Sequence, residues 1–116
     1  LIDAMGQVVL DRQPTLLIAY DSEYPEPLRA KRDTPDCGGV ALLLSPERGP
    51  HSLACIQVSP TTAAAQTLGD PALETLRQQI PALRALPLLR ALAKGSAETV
   101  VLDYLAPMQL QVEVSL

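Results

Sequence analysis

The chain contains no phenylalanine and no tryptophan, and its three tyrosines are its only aromatic residues. Hydrophobic residues nevertheless make up 47% of its 116 residues, so leucine, valine and alanine must fill the core. At this length the chain forms one domain at most, and we expect residues 1–116 to be a single, incomplete domain. No stretch approaches the roughly 20 apolar residues of a membrane span, and no signal-peptide pattern opens the chain. We therefore expect no membrane span and a cytoplasmic location.

Positive charge is also scarce, since the formal net charge is −4 and the only lysines are Lys31 and Lys94. Binding of a phosphate backbone needs clustered lysine and arginine, so this balance argues against a nucleic-acid partner. The one basic cluster comprises Arg29, Lys31 and Arg32. Because it lies in a proline-rich stretch, we interpret it as solvated surface.

Reactive side chains are limited to two cysteines and one histidine. Cys37 follows Asp36, whose carboxylate disfavours the thiolate that a nucleophile needs, so Cys37 is predicted to be a small residue at a strand entrance. Cys55 is predicted to be a core hydrophobe, and His51 a surface residue in a turn. One histidine and two separated cysteines cannot form a metal site, and Gly38-Gly39 lacks the spacing of a phosphate-binding loop. The residues thus predict no catalytic, cofactor-binding or metal-binding group, and two cysteines without a secretory context give no inference about a disulfide.

Asp21 has two possible roles. It directly follows the apolar run 16–20, where α/β folds place ligand-facing groups. It is also a good turn former ahead of Pro25. We favour the turn and keep the ligand-facing role as the alternative.

The pattern of apolar residues predicts the elements of the first half. A helix is predicted over 1–10, ended by Pro14. The apolar runs 16–20 and 40–44 predict two fully buried strands, separated by a polar, proline-rich loop. A third strand is predicted over 53–58, and its short connection to the second predicts an antiparallel hairpin between them.

The second half is predicted to be helical first and then extended. Residues 61–95 form a leucine- and proline-rich helical segment, in which Asp70 caps a helix that begins with Pro71 and Gly95 ends the last helix. One helical face is predicted to hold Leu83, Leu86, Leu89 and Leu92. Residues 99–105 and 109–114 predict a C-terminal β-hairpin with one buried face. The fold class is therefore α/β, a mixed sheet with helices on its faces and a C-terminal β-hairpin.

The order of these pieces resembles the N-terminal half of β-ketoacyl synthases, which have a thiolase-like fold. In this comparison the helix is 1–10, and the strands are 15–20, 38–45 and 53–58, with a turn over 46–52. The chain is more similar to a short, divergent ketosynthase-like group of bacterial aryl-polyene and related pigment clusters. The shared motifs are Ala19-Tyr20-Asp21, Tyr24-Pro25-Glu26-Pro27 and Val40-Ala41-Leu42-Leu43-Leu44. The resemblance covers residues 1–60 and extends only loosely over 61–116.

The resemblance implies a partial thiolase-like layered fold and a role in fatty acid or polyketide biosynthesis, on chains carried by acyl carrier protein. The family's nucleophilic cysteine would lie just before the helix in which Leu1 stands. Because that helix has no capping residue before it, we expect the chain to be a C-terminal fragment of the family's N-terminal domain. Cys37 and His51 match no catalytic position of the family, so no catalytic residue and no cofactor is assigned.

Two further interpretations stay open. The chain could belong to a non-catalytic subunit similar to a chain-length factor, which shapes the pocket of an active ketosynthase. It could also be an unrelated cytoplasmic α/β domain. The resemblance implies as partners the remainder of the same protein or a ketosynthase chain, an acyl carrier protein, and a dimeric state. An incomplete sheet also leads us to expect an apolar sheet edge that a companion polypeptide covers.

Overall fold

The first part of the chain forms a helix and a two-stranded antiparallel ribbon. The computed structural model describes residues 1–32 and 34–116. Helix α1 (Ile2–Asp11) buries Ala4 and Val8, which lie one turn apart on one face. It ends because Arg12 adopts a left-handed conformation (φ 53°) and its N–H donates to the carbonyl of Val8 at 3.0 Å. α1 was predicted within one residue at each end.

Strands β1 (Thr15–Asp21) and β2 (Gly38–Leu44) pair antiparallel and form what we call the ribbon. Alternate side chains are half-buried and exposed along both strands. The half-buried set faces the interior of the fold, and the opposite set, which includes Leu16 and Tyr20, faces outward. The prediction that both strands are fully buried is therefore wrong. An unbroken apolar run does not report whether a second layer covers the strand.

The remaining strands form a separate three-stranded antiparallel sheet in the order β3-β5-β4. These strands are β3 (Cys55–Thr61), β4 (Glu98–Leu105) and β5 (Met108–Ser115). β4 and β5 are consecutive and paired, so the predicted C-terminal hairpin is confirmed. Every strand pairing among the described residues is antiparallel, so the prediction of a mixed sheet is wrong and the α/β class holds only in the coarser sense of helices with antiparallel sheets.

The predicted hairpin between β2 and β3 is also wrong. β2 pairs with β1, whereas β3 pairs with β5, with Cys55 opposite Ser115 and Thr61 opposite Gln109. Ten residues, 45–54, connect the two strands. A connection of this length exceeds the two to five residues of tight hairpins and lets the chain pass from one sheet to the other.

Three helical pieces follow β3 within the segment 61–95. Residues 62–70 are not helical and run beside β4, where the Gln66 N–H donates to the Val101 carbonyl at 2.8 Å. Helix α2 (Pro71–Gln79), a 3₁₀ helix (Pro81–Ala85) and helix α3 (Leu86–Lys94) come next. Because a proline begins the 3₁₀ helix and another lies at the start of α3, Leu83 is separated from the other three leucines of the predicted face, which all lie in α3.

The helix caps in this segment are confirmed. The Asp70 carboxylate accepts the Leu73 N–H at 3.0 Å, ahead of a proline at the first helical position. Gly95 adopts a left-handed conformation (φ 63°), and the Ser96 N–H donates to the Ala91 carbonyl at 3.3 Å. Only glycine enters this conformation without strain, so it ends α3.

The core lies between α3 and the inner face of the three-stranded sheet. Leu88, Val100 and Val112 are fully buried there. The whole buried cluster is aliphatic, as expected of a chain without Phe or Trp, and consists of Leu88, Ala91, Val100, Leu102, Leu110, Val112 and Val114. Among the described residues no helix is both long and apolar enough to cross a membrane.

Candidate functional site

The candidate site is an apolar cavity of about 200 Å³ where the two sheets approach each other. The ribbon supplies one wall through Leu17, Ala19, Val40 and Leu42. The three-stranded sheet supplies Leu102 and Leu110, and the helical pieces supply Pro81, Ala82, Ala85 and Leu88. Aliphatic walls of this kind favour the binding of an apolar group.

Polar groups lie only at the rim of this cavity. Arg84, Asp103 and Tyr104 are the polar residues among its lining. Arg84 is exposed, and Asp103 already accepts a hydrogen bond from Arg77. The cavity can therefore hold an apolar chain, while a charged or polar end would remain near its opening.

Asp21 joins the ribbon to the helical piece that contains Ala82, one of the residues that line the cavity. Its carboxylate accepts the Ala82 N–H at 2.6 Å, across 61 residues of sequence. This bond satisfies a free donor at the start of the 3₁₀ helix and holds that helix against the end of β1. Asp21 therefore connects the end of β1 to the 3₁₀ helix, and its predicted role as a turn former is wrong.

Gly38 allows the ribbon to approach the helical pieces. A Cβ placed on Gly38 would lie 2.9 Å from Leu83 Cγ and 3.1 Å from Ile80 Cγ2. Ile80 is fully buried and has no room to retreat. The glycine at the entrance of β2 thus serves close packing beside the cavity.

The structure does not bring the two cysteines and the histidine together at the cavity. Cys37 is exposed, and its N–H donates to the Asp36 carboxylate at 2.7 Å. His51 is exposed in the turn closed by the Ser52 N–H and the Gly49 carbonyl. None of the three residues lines the cavity. Among the described residues, neither of the two cysteines nor the histidine therefore belongs to this site.

Cys55 is exposed at the start of β3, so its prediction as a core hydrophobe is wrong. Successive side chains of a strand point to opposite faces of the sheet, so Cys55 lies on the face opposite to that of Ile56. The Arg48 guanidinium is close to it, with Nη1 3.9 Å from Cys55 Sγ. Cys55 also lines an open cleft of about 440 Å³ with Glu98 and Glu113.

A buried charge cluster lies beside the cavity and has no counterpart in the sequence-based predictions. Arg77 is only 7% exposed, and its Nε and Nη2 donate to Glu74 at 2.9 and 2.6 Å. Its Nη1 donates to Asp103 of β4. Glu74 also accepts the Leu68 N–H at 2.8 Å. We call Glu74, Arg77 and Asp103 the clasp, because they join α2, β4 and the segment 62–70.

The electrostatics of the clasp fix its charge state. Hydrogen bonds from Arg77 and from the Leu68 N–H lower the pKa of Glu74 from 4.5 to about 2. The same contact raises the pKa of Arg77 above its ordinary value. The spacing of Glu74 and Arg77 could have indicated their pairing, since oppositely charged residues three apart on a helix are neighbours. Nothing in the local sequence indicates Asp103.

The three residues of the basic cluster, Arg29, Lys31 and Arg32, are all exposed at the surface. Arg29 lies in a 3₁₀ helix (Leu28–Ala30), and its guanidinium is 3.7 Å from the half-exposed Glu23 carboxylate. Lys31 and Arg32 are exposed. An exposed pair of this kind contributes little to stability. Across residues 1–32 and 34–116, no group of three His, Cys, Asp or Glu side chains is placed to hold a metal ion.

Comparisons of the chain with protein-family models, with curated proteins and with solved structures give no match.

Proposed function

We propose that the chain is part of a β-ketoacyl synthase-like protein of fatty acid or polyketide biosynthesis, of the aryl-polyene pigment type. In this proposal it is the C-terminal portion of the family's N-terminal domain and works in the cytoplasm. Its substrates are acyl chains carried by acyl carrier protein. The parent protein would transfer the acyl group to a cysteine outside this chain and then form a carbon–carbon bond by decarboxylative attack. This chain itself would supply walls rather than reacting groups.

The cavity between the two sheets carries the proposal. Its walls are aliphatic, its polar residues stand only at the rim, and its volume of about 200 Å³ suits part of an alkyl chain. Ala19 and Ala85 keep it open, because small side chains occupy positions where larger ones would fill it. An enzyme that elongates acyl chains needs such an apolar wall.

The order of elements over residues 1–61 supports the same proposal. The resemblance expects a helix, a strand, a long loop, a glycine-opened strand, a turn and a further strand. The described residues form these elements at 2–11, 15–21, 38–44 and 55–61. The long loop that follows β1 contains the Tyr24-Pro25-Glu26-Pro27 motif.

The alternative is a non-catalytic subunit similar to a chain-length factor. Cys37, Cys55 and His51 do not line the cavity. This arrangement agrees equally well with a non-catalytic subunit and with a fragment whose nucleophile lies elsewhere. Both versions make the cavity a wall for the acyl chain. They differ in whether the parent protein condenses chains alone.

The test uses the protein encoded by the complete reading frame that contains these residues. It is supplied with acyl- and malonyl-loaded acyl carrier protein, with and without an active ketosynthase, and the product lengths are measured. Product from the protein alone supports the enzyme, and product only in the presence of the ketosynthase supports the subunit.

A variant that narrows the cavity tests the role of its wall. Ala85→Leu is expected to shift the products to shorter chains, because the added side chain occupies the space of the terminal carbons. Ala63→Leu is the matched control, since Ala63 is exposed and does not line the cavity. Products that keep their length distribution in the Ala85→Leu protein would contradict the proposal.

A further inference from the structure

The outward face of the ribbon is apolar and uncovered. Leu16, Ile18 and Tyr20 of β1 are 59%, 60% and 77% exposed, and Leu43 of β2 is 72% exposed. The other outward positions of β2 that pair with them are also exposed. We call the set the outer face; it consists of Leu16, Ile18, Tyr20, Gly39, Ala41 and Leu43. It contains no charged side chain.

The outer face has one row of side chains on β1 and one on β2. Side-chain size increases along the first row and decreases along the partners in the second row. Along β1 the side chains are leucine, isoleucine and tyrosine, and along β2 their direct partners are leucine, alanine and glycine. Tyr20 stands beside Gly39, where a Cβ would lie 3.3 Å from Tyr20 Cβ. The face therefore has a high row on β1 and, at one end, a low row on β2.

A two-fold axis along the strand direction makes this face complementary to itself. Such an axis places β1 of one copy over β2 of a second copy, so that the two larger side chains at one end meet small residues, while the leucines at the other end meet each other. The resulting contacts, each formed twice, are Tyr20 over Gly39, Ile18 over Ala41 and Leu16 over Leu43. The sheets would pack face to face, as aligned sheets do in sandwiches.

The area and the charge of the face agree with this occupant. From their exposed fractions, the four large side chains present about 600 Å² per chain, the upper end for a monomer's largest apolar patch. Complete coverage of the four side chains in both copies would remove about 1,200 Å² from water, which is the lower limit of the range of specific interfaces. Self-association brings no like charges together, because none of the six residues is charged.

We propose that the outer face of the ribbon binds the outer face of a second copy of this chain, about a two-fold axis parallel to the strands. The proposal depends on the geometry of the ribbon and not on the proposed function. The proposed interface is the face of the ribbon, whereas the sequence analysis expected a companion polypeptide to cover an apolar edge of the sheet.

Sedimentation equilibrium of the 116-residue chain tests the proposal directly. The chain is expected to dimerise, and Ile18→Lys is expected to raise the dimer dissociation constant by a factor of about 100 or more, because it buries an unpaired charge. Ala41→Glu is expected to do the same from the opposite strand. Leu10→Lys is the matched control, since Leu10 is 83% exposed on α1 and is not part of the outer face.

Mixing the two variants tests the pairing itself. In a mixed dimer the substituted position 18 of one chain faces the substituted position 41 of the other, and the second Ile18–Ala41 contact is unchanged. The mixture is therefore expected to regain dimers that neither variant forms alone. Thermal unfolding by circular dichroism checks that each variant is folded. If only one variant is folded, the loss of dimer in that variant alone tests the proposed interface.

Several results would overturn the proposal. The wild-type chain could remain a monomer at all concentrations, which would mean that another polypeptide or a further segment covers the face. The dimer could also survive Ile18→Lys and Ala41→Glu, or the folded variants could fail to regain dimers on mixing. Each result would place the interface elsewhere or show that none exists.

Discussion

Replacing Arg77 with methionine is expected to destabilise the chain and to change how its stability depends on pH. Methionine keeps most of the aliphatic stem but removes the charge that neutralises Glu74 and Asp103. The side chain of Arg77 is 8% exposed, whereas those of Glu74 and Asp103 are 16% and 33% exposed. Removing one partner of a fully buried ion pair costs 3–5 kcal/mol, and the exposure of Asp103 lowers our expectation to roughly 2–3 kcal/mol at pH 7.

The pH dependence follows from the lowered pKa of Glu74. Its folded-state pKa is about 2, below the value of about 4.3 in an unfolded chain. A carboxyl with a lowered folded pKa stabilises the fold above the unfolded value, and this stability is lost as the pH falls from about 4 to about 2. In the Arg77→Met protein the part that comes from Arg77 is absent and the part that comes from the Leu68 N–H remains, so the difference from wild type is expected to shrink on acidification.

Urea unfolding of both proteins at pH 7 and at several values down to pH 2.5 measures this difference. Arg84→Met is the control, because Arg84 is exposed at the cavity rim and belongs to no ion pair within the described residues. A loss below about 0.5 kcal/mol at pH 7, the range of ordinary surface substitutions, would refute the role given to the clasp. A loss that stays constant down to pH 2.5 would refute its electrostatic origin.

Three further substitutions test the packing and the caps, all by urea unfolding at pH 7. Leu88→Ala removes a fully buried core side chain and is expected to cost 2–5 kcal/mol, whereas Leu10→Ala, at an exposed position, should change stability by less than about 0.5 kcal/mol. Gly38→Ala is expected to cost about 1–3 kcal/mol, because the added methyl group overlaps buried side chains; Gly69→Ala, with open space around it, should cost much less, and equal losses would contradict the argument. Asp70→Ala is expected to cost about 1 kcal/mol through loss of the helix cap, and an unchanged stability would show that the cap contributes nothing.

Features that depend on neighbouring residues could be predicted from the sequence. Asp70 followed by a proline marks the start of α2, and Gly95 marks the end of α3, because both act through bonds within one helical turn. The alternation of polar and apolar residues over 109–114 gave the buried face of β5, since Leu110, Val112 and Val114 are all buried.

Features that depend on residues far apart in the chain could not be predicted from the sequence. Two apolar strands separated by a short loop are expected to pair, but β2 has β1 as a partner in register from Thr15 to Asp21. Local sequence does not encode this competition between partners. The clasp is a similar case, because Arg77 and Asp103 are 26 residues apart. The exposed outer face was missed because a continuous apolar run looks the same whether one or two layers cover it.

The candidate site divides in the same way. That Gly38 opens a strand is visible in the sequence, but its close contact with Ile80 and Leu83 depends on a helix more than forty residues later. Asp21 and Ala82 meet only in the folded chain. The cavity combines side chains from both sheets and from α3, so no stretch of sequence displays it.

Sequencing the reading frame upstream of Leu1 tests the central claim, membership of a β-ketoacyl synthase-like protein, most directly. The proposal predicts coding sequence there, with a strand-to-helix turn a few residues before Leu1. A cysteine at that turn would make the parent a condensing enzyme, and another residue would assign it to the group of non-catalytic partner subunits. A reading frame that codes for no such segment would contradict the claim.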